Sequence, residues 1–190
     1  MKRCVLTLAS GKLLYYDLAS ALARSFRIHH PEGEIDFVFV ADDLEKIPSD
    51  LRKWVKAIAL NSTRGGSGFE LKLDLDRYSD YEQTLFIDAD CLLVGSLHPL
   101  FDSLQSSHFT AFGRNETSGE WFGDIESRMI EAGVSSLPVF VGAVYYFENT
   151  PRARSVFEKA RSFAPRYDEM GIVRLRGRKN EEPLISLGMA

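Results

Sequence analysis

The sequence predicts one α/β domain on a mostly parallel, twisted sheet with helices on both faces. Three observations carry that prediction. Strand-like and helix-like segments alternate along the chain, the pattern of a sheet layered with helices. The strand-like runs are almost continuously apolar, as expected of strands covered on both faces. The 190 residues, 45% hydrophobic and 26% charged, fit one domain with a substantial core.

The elements follow in order. Cys4 to Ala9 is a first buried strand, ended by Ser10-Gly11. Leu13 to Ile28 places Leu14, Leu18, Ala21, Leu22 and Ser25 at helical spacing. Pro31-Glu32-Gly33 is a turn, and Ile35 to Ala41 a second strand. Pro48 to Trp54 reads as a short helix and Val55 to Leu60 as a third strand. Asn61 to Gly68 is rich in glycine and serine and reads as a mobile loop. Phe69 to Asp76 alternates with period two, which suits a strand, yet Leu71, Leu75 and Tyr78 stand at helical spacing. The α/β alternation elsewhere decides for helix. Thr84 to Asp88 is a fourth strand, with Cys91 to Val94 continuing extended, and His98-Pro99-Leu100-Phe101 starts a short helix. Phe109 to Gly113 is a strand. Asp124 to Ala132 is a helix that Gly133 ends. Pro138 to Phe147 is a long strand around Gly142, and Pro151 to Phe163 is a helix with proline at its start. Ile172 to Arg176 reads as a strand, and Glu181 onward as a last helix.

Composition narrows the function. A net charge of −4 argues against bulk attraction to nucleic acid. Cys4 and Cys91 sit in apolar runs and read as buried thiols rather than a disulfide framework. Nothing resembles a secretory signal, and no apolar stretch approaches the ~20 residues that span a bilayer. A cytoplasmic location is the expectation.

Chemistry concentrates at Asp88-Ala89-Asp90. These residues interrupt the apolar run Thr84 to Val94, where desolvating two carboxylates is costly unless something positive meets them. Residues two apart on an extended chain face the same side. The pair therefore reads as a site for magnesium or manganese, which take one or two carboxylates, waters and substrate phosphates. It also stands at the carboxyl end of a strand, where ligands of such sheets bind.

The stretch Gln83-Thr-Leu-Phe-Ile-Asp-Ala-Asp-Cys-Leu-Leu-Val-Gly-Ser-Leu-His-Pro-Leu-Phe101 resembles the signature of glycogenin-like nucleotide-sugar glycosyltransferases. That group includes bacterial lipopolysaccharide sugar transferases and has the GT-A fold. Looser matches are Thr7-Leu8, Tyr15-Tyr16, Lys72-Leu73 sixteen residues before Asp88, the strand around Gly142, and Asn180-Glu181-Glu182-Pro183-Leu184. The resemblance implies a metal-dependent transfer of a sugar from a nucleotide-diphosphate donor, most commonly UDP-linked, to an acceptor hydroxyl with retention. It implies that Asp90 binds the metal directly. Asp88 would bind the ribose and help hold the metal, with Ala89 beside them at the donor. Thr7, Leu8 and Tyr15 or Tyr16 would line the nucleoside pocket. Lys72 would approach the donor sugar or diphosphate, and Glu181 and Glu182 would face the transferred sugar.

Two departures stand out. Phe140-Val141 precede Gly142 where the family has an asparagine or serine, and no histidine lies downstream of the last helix. The chain is then a single domain over 1–190 that is truncated at its C-terminal end, or metal binding relies on two aspartates and the diphosphate. Two other functions stay open. One is a haloacid-dehalogenase-type phosphohydrolase, whose Asp-x-Asp normally lies near the N-terminus with a threonine shortly after. The other is a non-catalytic nucleotide-sugar-binding module of a larger protein. The basic run Arg174, Arg176, Arg178 and Lys179 reads as a solvated face, or as contacts to a diphosphate or an anionic acceptor.

Overall fold

The computed structural model describes residues 1–60 and 68–190, the Phe69 side chain excepted. The loop expected over Asn61 to Gly68 thus lies almost wholly outside the described residues. Among the described residues six strands form one sheet: β1 (Arg3–Ala9), β2 (Ile35–Ala41), β3 (Lys56–Ala59), β4 (Gln83–Ile87), β5 (Phe109–Glu116) and β6 (Leu137–Glu148). Their order is β3-β2-β1-β4-β6-β5. The first four are mutually parallel, while β6 runs antiparallel to both β4 and β5.

Helices α1 (Leu13–His29), α2 (Gly68–Lys72), α3 (His98–Leu104), α4 (Ile125–Ala132), α5 (Pro151–Phe163) and α6 (Glu182–Met189) complete the fold. Two cores result, one on each face of the sheet. Cys4, Leu6, Phe86, Tyr145 and Phe147 turn to the face that also holds Phe157 and Leu184 of α5 and α6. Val5, Leu85, Ile87 and Tyr146 turn to the face that holds Leu22 and Phe26 of α1 and Phe101 of α3. Residue-by-residue alternation along buried strands is what sends neighbours to opposite cores.

Local chemistry sets the element ends. The Asp124 side chain accepts from the Ser127 N–H at 2.7 Å to start α4, and Gly133 in the left-handed region (φ 67°) ends it. Thr150 caps α5 by accepting from the Ala153 N–H at 3.2 Å, with Pro151 next.

Several expectations are corrected. Phe69 to Asp76 is helical only as the short α2, followed by a separate 3-10 turn at Leu75–Arg77. Pro48 to Trp54 reduces to a 3-10 turn at Leu51–Lys53. Cys91 to Val94 is not a strand; Leu92 and Val94 are 64% and 90% exposed, so the apolar run is buried on one side only. Ile172 to Arg176 is not a strand either. Arg176 (φ 50°) and Gly177 (φ 76°) reverse the chain, so that Leu175 bridges back to Arg178.

Candidate active site

β4 ends at Ile87, and the Asp88 N–H extends its pairing with β6 by donating to the Ala143 carbonyl at 2.8 Å. The chain then turns, with the Cys91 N–H donating to the Asp88 carbonyl at 3.1 Å. The two aspartates therefore flank a turn rather than alternate along a strand. Asp88 continues the side of Phe86, towards α2 and α6, while Asp90 is exposed.

Lys72, the last residue of α2, reaches across Phe86 with its ammonium 5.4 Å from the ring centroid. Its Nζ lies 2.8 Å from Asp88 Oδ1 and 2.9 Å from Glu181 Oε1, and donates to the Gly142 carbonyl at 3.1 Å. Glu181 is 4% exposed at the N-terminal end of α6. The next residue, Glu182, accepts from the Gly142 N–H. Gly142 thus has both its N–H and its carbonyl committed to the site. A Cβ there would meet the Tyr145 hydroxyl at 2.7 Å, Glu181 Oε1 at 2.8 Å and Glu182 Cγ at 2.8 Å, so only glycine fits.

The electrostatics follow from burial. Burial pushes the Asp88 carboxyl up to about 6; the Lys72 ammonium pulls the other way, and Glu181 and Asp90 add to the rise. Burial works to lower Lys72, but Glu181 and Asp88 outweigh it and raise its pKa, so the ammonium stays charged. Glu182 is raised by burial, partly offset by the Gly142 N–H.

The structure brings Lys72, Asp88, Glu181 and Glu182 together from α2, β4 and α6, with Ala89 and Asp90 on the adjoining turn. The nucleoside-side residues fall differently. Thr7 is fully buried in β1. Leu8 is partly buried and turns to the same core as Phe86. Tyr15 is 42% exposed, whereas Tyr16 is 1% exposed. The Tyr16 hydroxyl donates to Asp42, and Asp42 also accepts from the Gly11 N–H at 2.8 Å. Of the two tyrosines, Tyr15 therefore has the exposed ring. Burial works against Asp42, yet these two donors hold its carboxyl below the usual range. Asp42 was absent from the sequence expectations; its signal was its place just after a predicted strand, at the ligand-binding end of the sheet.

Among the described residues no group of three or more histidine, cysteine or carboxylate side chains is arranged to hold a metal ion. Among the described residues the candidate donors are Asp88, which also meets Lys72, and the exposed Asp90. Two carboxylates fit magnesium or manganese if water and a diphosphate complete the shell.

No sequence-family model matches the chain, and no curated protein sequence matches it. Solved structures do. The chain resembles the galactosyltransferase LgtC in complex with donor and acceptor sugar analogues, at a TM-score of 0.62 and 17% identity, over 98% of this chain and 70% of that one. It resembles the glycosyltransferase GlyE of Streptococcus pneumoniae TIGR4 at a TM-score of 0.55 and 14% identity, over 97% of this chain and 42% of GlyE. The residues 1–349 structure of S. aureus TarS matches at 0.54 and 14%, over 100% of this chain and 55% of that one. The architecture is thus the α/β GT-A fold that these glycosyltransferases share.

Proposed function

We propose that the chain is a metal-dependent glycosyltransferase that moves a sugar from a nucleotide-diphosphate donor, UDP-linked by preference, to an acceptor hydroxyl with retention. The observation that carries this is the convergence of Lys72, Asp88, Glu181 and Glu182 at the carboxyl end of β4. Ligands of open α/β sheets bind at that end, and the fold is one that glycosyltransferases use.

Asp88 and Asp90 would hold magnesium or manganese, which supplies a Lewis acid to neutralise the departing diphosphate. The chain's own residues do the rest. Lys72 keeps a fixed positive charge beside Asp88, so the desolvated carboxylate stays ionised and aimed. Glu181 neutralises the other side of that ammonium. Glu182, fixed by the Gly142 N–H, faces the transferred sugar, where a carboxylate stabilises positive charge building at the anomeric carbon. The exposed ring of Tyr15 receives the nucleoside, while Thr7, Leu8 and Tyr16, buried or partly buried, shape the end of β1 and the start of α1 beside it. Groups held in place before the reaction favour its charge-separated transition state.

The glycosyltransferase fold relatives favour sugar transfer over the phosphohydrolase alternative. The test is turnover of UDP-sugars with manganese by the wild type and by Asp90→Ala. Asp90 is exposed, so the variant should fold with stability within about 0.5 kcal/mol of wild type and lose metal-dependent turnover. Full activity and metal affinity in Asp90→Ala would exclude this assignment. Nucleotide-sugar binding by the wild type with neither transfer nor hydrolysis would instead identify a binding module.

A further inference from the structure

The segment that follows the Asp88–Asp90 turn is held by α1. Residues 91–97 form neither helix nor strand, so their backbone N–H groups need partners elsewhere. Two find them on one helix. The Leu93 N–H donates to Ser25 Oγ at 2.9 Å, and the Leu97 N–H donates to His30 Nε2, just past the helix end, at 3.1 Å. Each acceptor is set up for the bond. The Ser25 hydroxyl gives its own proton to the Leu22 carbonyl at 2.8 Å, which leaves its lone pairs free for Leu93. His30 is 1% exposed and its ring stacks on Phe26 at 4.8 Å. With Nε2 accepting, the ring proton sits on Nδ1. Burial first, and then the neighbouring His98, hold His30 below its ordinary pKa, which favours the neutral form that accepts.

Side-chain packing does not fix this segment alone. Cys91, Leu93 and Leu97 pack on the α1 face of the sheet, but Leu92 and Val94 stand in solvent. The two bonds to α1 set the path of the backbone.

We propose that Ser25 and His30 are positioning residues for the candidate metal site: they pin residues 91–97 to α1 and so fix where the adjoining turn presents Asp90. The inference rests on Asp90 as a metal ligand, as proposed above. Groups that orient a metal ligand without touching the metal typically contribute about 10- to 100-fold in metal affinity.

The experiment compares Mn2+ binding in the presence of UDP, followed by electron paramagnetic resonance of Mn2+, for wild type, Ser25→Ala, His30→Ala and His30→Gln. Amide hydrogen exchange at Leu93 and Leu97 is read alongside. Ser25→Ala and His30→Ala should weaken Mn2+ binding at least about tenfold and speed exchange at Leu93 and Leu97 respectively. His30→Gln, whose side-chain carbonyl can accept from Leu97, should restore both readings. Unchanged Mn2+ affinity in variants whose amides exchange faster would overturn the proposal. So would His30→Gln as defective as His30→Ala. If His30→Ala does not fold, Ser25→Ala, which deletes one hydroxyl, decides the matter. A wild type that binds no Mn2+ with UDP would overturn the functional proposal as well, whereas normal wild-type binding with unaffected variants would overturn only this one.

Discussion

At the scale of single residues, Lys72 carries most of the site's electrostatics. One ammonium serves Asp88, Glu181 and the Gly142 carbonyl. Removing one partner of a buried ion pair leaves uncompensated charge, at about 3–5 kcal/mol. Lys72→Met should therefore destabilise the fold by about that much at pH 7.5, measured by urea denaturation. The deficit depends on pH with a definite sign. Burial already raises the folded-state pKa of Asp88 to about 6 with the ammonium present; without it the value moves higher still. Acid then protonates the unpaired carboxyl and removes the buried charge, so the gap between variant and wild type should narrow from pH 7.5 to pH 5. A gap that stays constant or widens would mean that the pair is solvated in solution. The Asp88-Ala89-Asp90 motif was legible in the sequence because its charges break an apolar run. The resemblance brought Lys72 and Glu181 to one donor, but their direct ion pair was hidden, because 109 residues separate them and no local pattern encodes the contact. The choice between Tyr15 and Tyr16 was equally hidden, since adjacent helical residues differ only in which one meets Asp42.

At the scale of elements, α6 delivers Glu182 to Gly142, and α5 decides where α6 lies. Gly188 of α6 sits so close to α5 that a Cβ would meet the Val156 carbonyl at 2.3 Å. Gly188→Ala should push the helices apart and cost about 1–3 kcal/mol, read by chemical denaturation. Its distal effect is the sharper measurement: amide exchange at Gly142 should accelerate as Glu182 withdraws. Unaltered exchange at Gly142 would show that α6 tolerates the shift without moving the site. Elements with chemical punctuation were readable in advance. Asp124 and Gly133 bound α4, and Pro151 opens α5. Elements inferred from apolar content alone were less so. Cys91 to Val94 carries four apolar residues, yet two of them face water, because a hydrogen bond from the Leu93 N–H to Ser25 of α1, and not sheet pairing, holds that backbone.

At the scale of the whole molecule, the α/β class followed from alternation, but the sheet order did not. Nothing local says that β6 inserts antiparallel between β4 and β5, although this insertion sets Ala143 beside Asp88. The resulting site has a global consequence, because a ligand that binds only the folded chain raises its stability by mass action. At one hundred times its dissociation constant the gain is about 2.7 kcal/mol. For a domain of this size each kcal/mol shifts the melting temperature by about 2–4 °C, so the rise should be about 5–11 °C. UDP-sugars with manganese should reach it, while either component alone should fall well short, since the two aspartates offer too few ligands to hold the ion without the diphosphate. Asp90→Ala should erase the joint effect but keep the ligand-free melting temperature. Equal shifts with and without manganese would leave a nucleotide-binding domain in which Asp88 answers only to Lys72.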